Sequence, residues 1–304
     1  MTSGGRGRGA DGGAAKRARR SSRPAAPAAA PEWAFLGAKI LEPLGPGGPR
    51  WVPAVTGLAG AVLLGWAFVM ASQPAMSAAG GTPADVDVAA AVSTGRTVEI
   101  TRLLWAITVL GNTSVAWACA LGAIFTLVIW GYRTHAVLVA VTVGGGNALS
   151  ALIKLLFERP RPQGIDALIA PPHSFSMPSG HVVYATLVAA LILFAVVNAK
   201  RVSASAKSVM SGLALLWMML MGVSRVYLGV HWASDAVAGW LLGGAWASAC
   251  IGAWVSWRRG AKDEVHVPVL APRQRTLFAA TAIGVTVAVI WVSARATPLL
   301  AMKG

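Results

Sequence analysis

Residues 182–199 read VVYATLVAALILFAVVNA, eighteen consecutive positions between His181 and Lys200 without a Lys, Arg, Asp or Glu. A helix needs about 20 apolar residues to cross the hydrocarbon core of a bilayer. The run is continuous and rich in Ala, Leu and Val rather than alternating, so it predicts a helix and not a membrane strand. The same reading extends in both directions. Uncharged stretches of 20 residues lie between Arg133 and Lys154 and of 30 between Arg102 and Arg133, and an apolar run occupies Val52–Ser72. Downstream, 17 uncharged residues separate Lys207 from Arg225, 22 separate Asp235 from Arg258, and 19 separate Arg275 from Arg295. Seven spans are predicted, the last over Thr276–Ala294.

Composition agrees. Of 304 residues, 56% are hydrophobic and 12% charged, about half the charge of an ordinary soluble domain. The mean hydropathy is +0.62. These values exclude a soluble enzyme, a disordered chain and an acidic binder. Two cysteines, Cys119 and Cys250, both inside apolar runs, exclude a disulfide scaffold and read as small buried hydrophobes. The predicted class is an all-α, polytopic transmembrane helix bundle.

Charge sets the orientation. With the N-terminus in the cytoplasm, segments 1–50, 131–134, 200–207 and 258–275 lie inside and hold 18 basic and 5 acidic residues, against 8 and 6 outside. The positive-inside rule selects this topology. It also accounts for much of the net charge of +15, so no specific nucleic-acid partner is expected. Residues 1–50 read as a disordered basic cytoplasmic arm carrying the run Lys16-Arg17-Ala18-Arg19-Arg20, rich in Gly, Ala and Pro. The basic stretch is too long, and the apolar run starts too late, for a signal peptide. The loop 73–100 reads as a turn or short surface helix. Gly239 and Gly243, four apart in the sixth span, predict close internal helix packing. His135, His173 and His266 read as loop or interface residues.

A charged residue inside or at the end of a span is costly and marks function by default. Three such groups fall at one outer membrane face under this topology. Lys154 with Arg159, Arg161 and Pro162 ends span three. Pro178-Ser179-Gly180-His181 starts span four. Ser224-Arg225 ends span five, and His231 and Asp235 enter span six. Taken singly, each has an ordinary structural explanation: a snorkelling lysine, a turn before a helix, a histidine–carboxylate hydrogen bond. Together they make a site. Lys154, Arg161 and Arg225 are fixed cations that suit a phosphoryl group. Ser179-Gly180 opens a helix whose first N–H groups are unsatisfied, a further anion contact. His231 and Asp235 stand at i, i+4, where the carboxylate can fix the imidazole tautomer. With His181 as a second imidazole, one histidine can attack phosphorus while the other protonates the leaving oxygen. No metal-ligand spacing is recognisable, so neither a metal nor another cofactor is expected.

Lys154 followed by six residues and Arg161-Pro162, then Pro178-Ser179-Gly180-His181, then Ser224-Arg225 with His231 and Asp235 spaced S-R-x5-H-x3-D, resemble the three motifs of the type 2 phosphatidic acid phosphatase (PAP2) superfamily, which also includes vanadium haloperoxidases. The resemblance covers roughly residues 100–257. It implies a six-helix catalytic domain over 51–260, followed over 261–304 by a cytoplasmic linker and one extra transmembrane helix. It implies His231 as the nucleophile forming a phosphohistidine, Asp235 as its support, and His181 as the general acid. Lys154, Arg161, Ser179, Gly180 and Arg225 would hold the phosphoryl group, and Arg159 would assist with a second phosphate.

The function implied is a metal-independent lipid phosphate phosphatase of the cell membrane, acting at the extracytoplasmic face. Its substrate would be a lipid-linked phosphomonoester or pyrophosphate of the polyprenyl pyrophosphate, phosphatidylglycerophosphate or phosphatidic acid type. The partners expected are that lipid and the bilayer. The alternatives are a phosphotransferase with the same histidine chemistry, a haloperoxidase-like oxidant, and a non-catalytic lipid-phosphate transporter or binding protein.

Overall fold

The computed structural model describes Met1 and residues 48–78, 80–261 and 268–300. The basic arm expected over 1–50, part of the 261–304 linker and His266 lie outside these residues, apart from Met1, the arm's last positions and the linker's flanks. The described helices belong to one compact unit, residues 44–304. In chain order they are α1 (Val52–Ser77), α2 (Pro83–Thr94), α3 (Val98–Leu110), α4 (Thr113–Ile129), α5 (Arg133–Val139), a π-helical segment (Ala140–Gly145), α6 (Gly146–Phe157), α7 (Gly180–Asn198), α8 (Ala204–Tyr227), α9 (Ala233–Gly260) and α10 (Pro272–Ala296). Among the described residues the extended pairing amounts to an isolated antiparallel bridge between Ile169 and Leu299.

Six spans are straight or nearly continuous: α1, α5 through α6, α7, α8, α9 and α10. The stretch after Arg102, predicted as one further span, is instead a pair of helices, α3 and α4, bent by 49°, the geometry of a broken span or a re-entrant loop. Gly111 closes α3 and Asn112 caps α4. A β-carbon on Gly111 would come within 2.8 Å of both the His181 ring and the Met221 side chain. Only glycine lets the bend approach that histidine.

The outer surface is what an aqueous protein avoids. Trp66, Leu63, Leu277 and Ile283 are each more than 60% exposed. In α10 Ser293 is the buried residue. Such apolar faces are stable only against lipid, and the chain is an integral membrane protein.

Helix α9 is central. A β-carbon on Gly239 would lie 2.8 Å from Val182, and one on Gly243 the same distance from Thr186. The pair therefore packs α9 directly on α7, as the spacing predicts, and holds the start of one helix against the start of the other. The Ser179 N–H donates to the Asp235 carbonyl at 3.0 Å. The π segment opens the ladder of span three, and Trp246 Nε1 donates to the carbonyls of Val141 (3.2 Å) and Thr142 (3.1 Å) there. Such insertions are frequent near functional sites.

Candidate active site

Four chain segments end together on one side of the bundle. Helix α6 delivers Lys154, and the loop after it delivers Arg161. The N-terminus of α7 delivers Gly180 and His181. The loop from α8 to α9 delivers His231. These five line a single cavity of about 140 Å³. Asp235 lies directly behind His231. Ser179 and Arg225 are fully buried beside the cavity without lining it: Arg225 donates from Nη1 to Thr108 Oγ1 at 2.6 Å. Ser179 Oγ and Arg225 Nε have no hydrogen-bond partner among the described residues. Buried donors of this kind are costly unless something satisfies them.

The histidine–carboxylate pair is built differently from a helix face. Helix α9 begins at Ala233, so His231 precedes it. Asp235, in the first turn, reaches back: its Oδ2 accepts the Trp232 N–H at 2.9 Å and lies 3.2 Å from His231 Nδ1. The Ser176 hydroxyl donates to the same oxygen. With Nδ1–H on the carboxylate, the Nε2 lone pair points away from it, 3.0 Å from Arg161 Nη1. Arg161 is held by the carbonyls of Ser174 (2.8 Å) and Val230 (2.7 Å). Lys154 Nζ donates to the carbonyls of Phe175 (2.6 Å) and Ser176 (3.1 Å). The loop 174–176 thus clamps both cations and the carboxylate.

Burial, then the positive charges of Arg161, Arg225 and Lys154, push the His231 pKa well below its ordinary value of 6.5. Its neutral form, with a lone pair to give, is the resting one. Burial also lowers Arg161, to about 10, which leaves it charged at neutral pH.

Arg159 departs from expectation. It is 2% exposed and holds no position for a second phosphate. Its Nη1 donates to Asp235 Oδ1 at 2.6 Å and Ser234 Oγ at 2.8 Å, and its Nη2 to Asp85 Oδ2 at 2.8 Å. The guanidinium also lies 5.9 Å from the centroid of the Trp232 ring. It is consumed by two buried carboxylates.

Asp85 escaped the sequence reading. It caps α2 with Thr82 and accepts from Ser234 N–H (2.8 Å) and Ser234 Oγ (2.7 Å). Burial alone would raise its pKa; the hydrogen bonds from Ser234, Arg159 and Thr82 outweigh that and lower it. The loop 73–100 thus carries a short helix tied to the site. His135, set apart, packs edge-on against Trp254 at 4.8 Å, the interface role expected of it. His173 lies exposed in the loop between α6 and α7.

Cations, two imidazoles and a supporting carboxylate thus gather at one end of a helical membrane bundle, an arrangement whose charge suits a phosphoryl group. Residues 135–259 match the PAP2 superfamily. Among curated proteins it is 34% identical over 106 residues to phosphatidylglycerophosphatase B of Bacillus subtilis, covering 35% of this chain and 51% of that one. It is 36% identical over 77 residues to undecaprenyl-diphosphatase of Sulfolobus acidocaldarius, covering 25% and 32%. The chain thus spans about half and a third of the lengths of these relatives. The crystal structure of a transmembrane PAP2 type phosphatidylglycerolphosphate phosphatase from Bacillus subtilis superposes with a TM-score of 0.53 and 26% identity, over 67% of this chain and 98% of that one.

Proposed function

We propose that the chain is a lipid phosphate phosphatase that works through a phosphohistidine on His231 at the extracytoplasmic face. The observation that carries this reading is the cavity in which His231, backed by Asp235, faces His181 among fixed cations. Lys154, Arg161 and the first N–H groups of α7 hold the phosphoryl oxygens, and the unpartnered buried donors behind the cavity wall, Arg225 Nε and Ser179 Oγ, turn to it as substrate enters. Arg161 Nη1 turns from His231 Nε2 to a phosphoryl oxygen as substrate enters. Nε2 then attacks phosphorus in line. The bond to the leaving oxygen breaks, and protonated His181 gives that oxygen its proton. The cations stabilise charge on the equatorial oxygens. Neutral His181 next takes a proton from water, which attacks the phosphohistidine and releases inorganic phosphate. A site at a helix end lets a lipid keep its tail in the bilayer while its headgroup reaches the cavity. The named activities of the two curated relatives support a lipid-linked phosphomonoester or diphosphate as the substrate class.

Purified protein offered phosphatidic acid, phosphatidylglycerophosphate and a polyprenyl diphosphate is expected to release phosphate from at least one, with or without chelator. Release from none refutes the reading; loss to chelator restored by a divalent cation refutes its metal-independence. In cells, a membrane-impermeant thiol reagent should label a cysteine placed at Gln163 and not one at Ala206. The reverse pattern would move the reaction to the cytoplasm.

The pH profile follows from His231. The neutral imidazole is the reactive form, and its lowered pKa keeps it neutral as the pH falls to 6.5. The acid limb of kcat/KM, corrected for the ionisation of the substrate, is therefore expected below that pH. A limb at or above 6.5 contradicts the environment described for His231.

A further inference from the structure

The extra helix α10 faces lipid along most of its length, yet its end is tied down by polar contacts. Ser293, 5% exposed, shares a hydrogen bond of 2.6 Å with Ser114. Trp105 Nε1 donates to the Thr297 carbonyl at 2.6 Å. Beyond the helix, the Leu300 N–H donates to the Leu168 carbonyl at 2.8 Å, and Leu299 bridges Ile169. Residues 168 and 169 belong to the same loop that clamps Lys154 and Arg161. Between these anchors stands Thr297. Its Oγ1 donates to the Ser293 carbonyl at 2.9 Å and accepts from Asn112 Nδ2 at 3.0 Å. Asn112 Oδ1 lies 3.1 Å from His181 Nε2.

We propose that Thr297, the residue that closes the C-terminal helix, is a positioning residue for His181, acting through the Asn112 amide. This rests on the phosphatase reading above. A hydroxyl has one proton to give. That of Thr297 is committed to Ser293, so toward Asn112 the oxygen can only accept. The amide nitrogen of Asn112 must face Thr297, and its oxygen must face His181. Asn112 is released for this task because its side chain makes no cap to its own helix. An acceptor at Nε2 requires a proton there, which leaves Nδ1 as the nitrogen that exchanges a proton with the substrate. In the first step the Nδ1 proton of the imidazolium passes to the leaving oxygen as the phosphorus–oxygen bond breaks, and the Nε2 proton stays on Asn112. In the second, Nδ1 takes a proton from the attacking water.

The test separates acid positioning from support of the fold. Wild type, Thr297→Val and Thr297→Ser are purified in detergent and assayed on dioctanoyl phosphatidic acid and on p-nitrophenyl phosphate. The first leaves as an alkoxide that needs a proton, the second as an aryl oxide that does not. Thr297→Val is expected to lower kcat/KM, which reports the steps through departure of the leaving group, about 10- to 100-fold on phosphatidic acid, part of the roughly 10²–10⁴ that general acid catalysis contributes. On p-nitrophenyl phosphate kcat/KM should change less than about twofold, and Thr297→Ser should restore the first value. Equal losses on both substrates, no loss on either, or no rescue by serine would overturn the proposal. Should the valine variant melt early, Asn112→Asp decides: a carboxylate at Nε2 favours the imidazolium and should move the basic limb of kcat up by about one pH unit or more. An unmoved limb overturns the proposal. Wild type inactive on both substrates would defeat the phosphatase reading and this one with it, whereas an active wild type indistinguishable from Thr297→Val defeats only this one.

Discussion

Purified His231→Ala is expected to lose at least roughly 10⁴-fold in turnover on a lipid phosphate, in line with removal of a covalent nucleophile elsewhere. Nε2 is the atom assigned to attack phosphorus, and alanine leaves nothing in its place. Folding should survive. Asp235 keeps Arg159, the Trp232 N–H and the Ser176 hydroxyl when the imidazole is gone, so no buried charge is stranded. Phosphate release measured beside a melting curve distinguishes the two effects. Wild-type rates in the variant would remove His231 from the chemistry. A collapsed melting temperature would assign it to the structure.

Arg159→Met should act in the opposite way, mainly on stability. Asp85 and Asp235 are 2% and 0% exposed and share this one guanidinium. Removing one partner of a buried ion pair leaves an uncompensated charge and costs about 3–5 kcal/mol. Thermal unfolding of the variant in detergent should fall accordingly, and Asp85→Asn added to it should recover part of the loss. The single Asp85→Asn variant should be milder, since Arg159 keeps Asp235. A methionine variant that melts like wild type would mean that solvent already reaches this cluster.

These two residues show what sequence can carry. Lys154, Arg161, His181, Arg225, His231 and Asp235 were legible because polar groups are rare and costly in an apolar chain, and because charge bias alone put them at one membrane face. The cavity brings Lys154, Arg161, His181 and His231 together at one end of the bundle. Asp85 was not legible. It sits in a Gly- and Pro-punctuated loop, and its partners Arg159 and Ser234 lie 74 and 149 residues away; a tertiary pair leaves no local period to read. Arg159 was misplaced for the same reason, since without Asp85 it looked like a spare cation. Asn112 was hidden inside an uncharged run that passed for one straight span. The bend at Gly111 is dictated by the approach of His181, 70 residues on, and not by any neighbour in sequence. Thr297 lies past the end of the last predicted span, where a hydroxyl carries no signal. The His231–Asp235 contact was expected from the i, i+4 spacing and is present, but as a carboxylate reaching back from the first turn of α9.

The central claim is a covalent bond between His231 and phosphorus. Wild-type protein mixed with a ³²P-labelled lipid phosphate and quenched in alkali within one turnover should carry label that survives base and is lost in acid, as a phosphohistidine is. Peptide mass spectrometry should place it on His231, and His231→Ala should carry none. Label on a serine or an aspartate, or steady phosphate release with no protein-bound label at any quench time, would contradict the account.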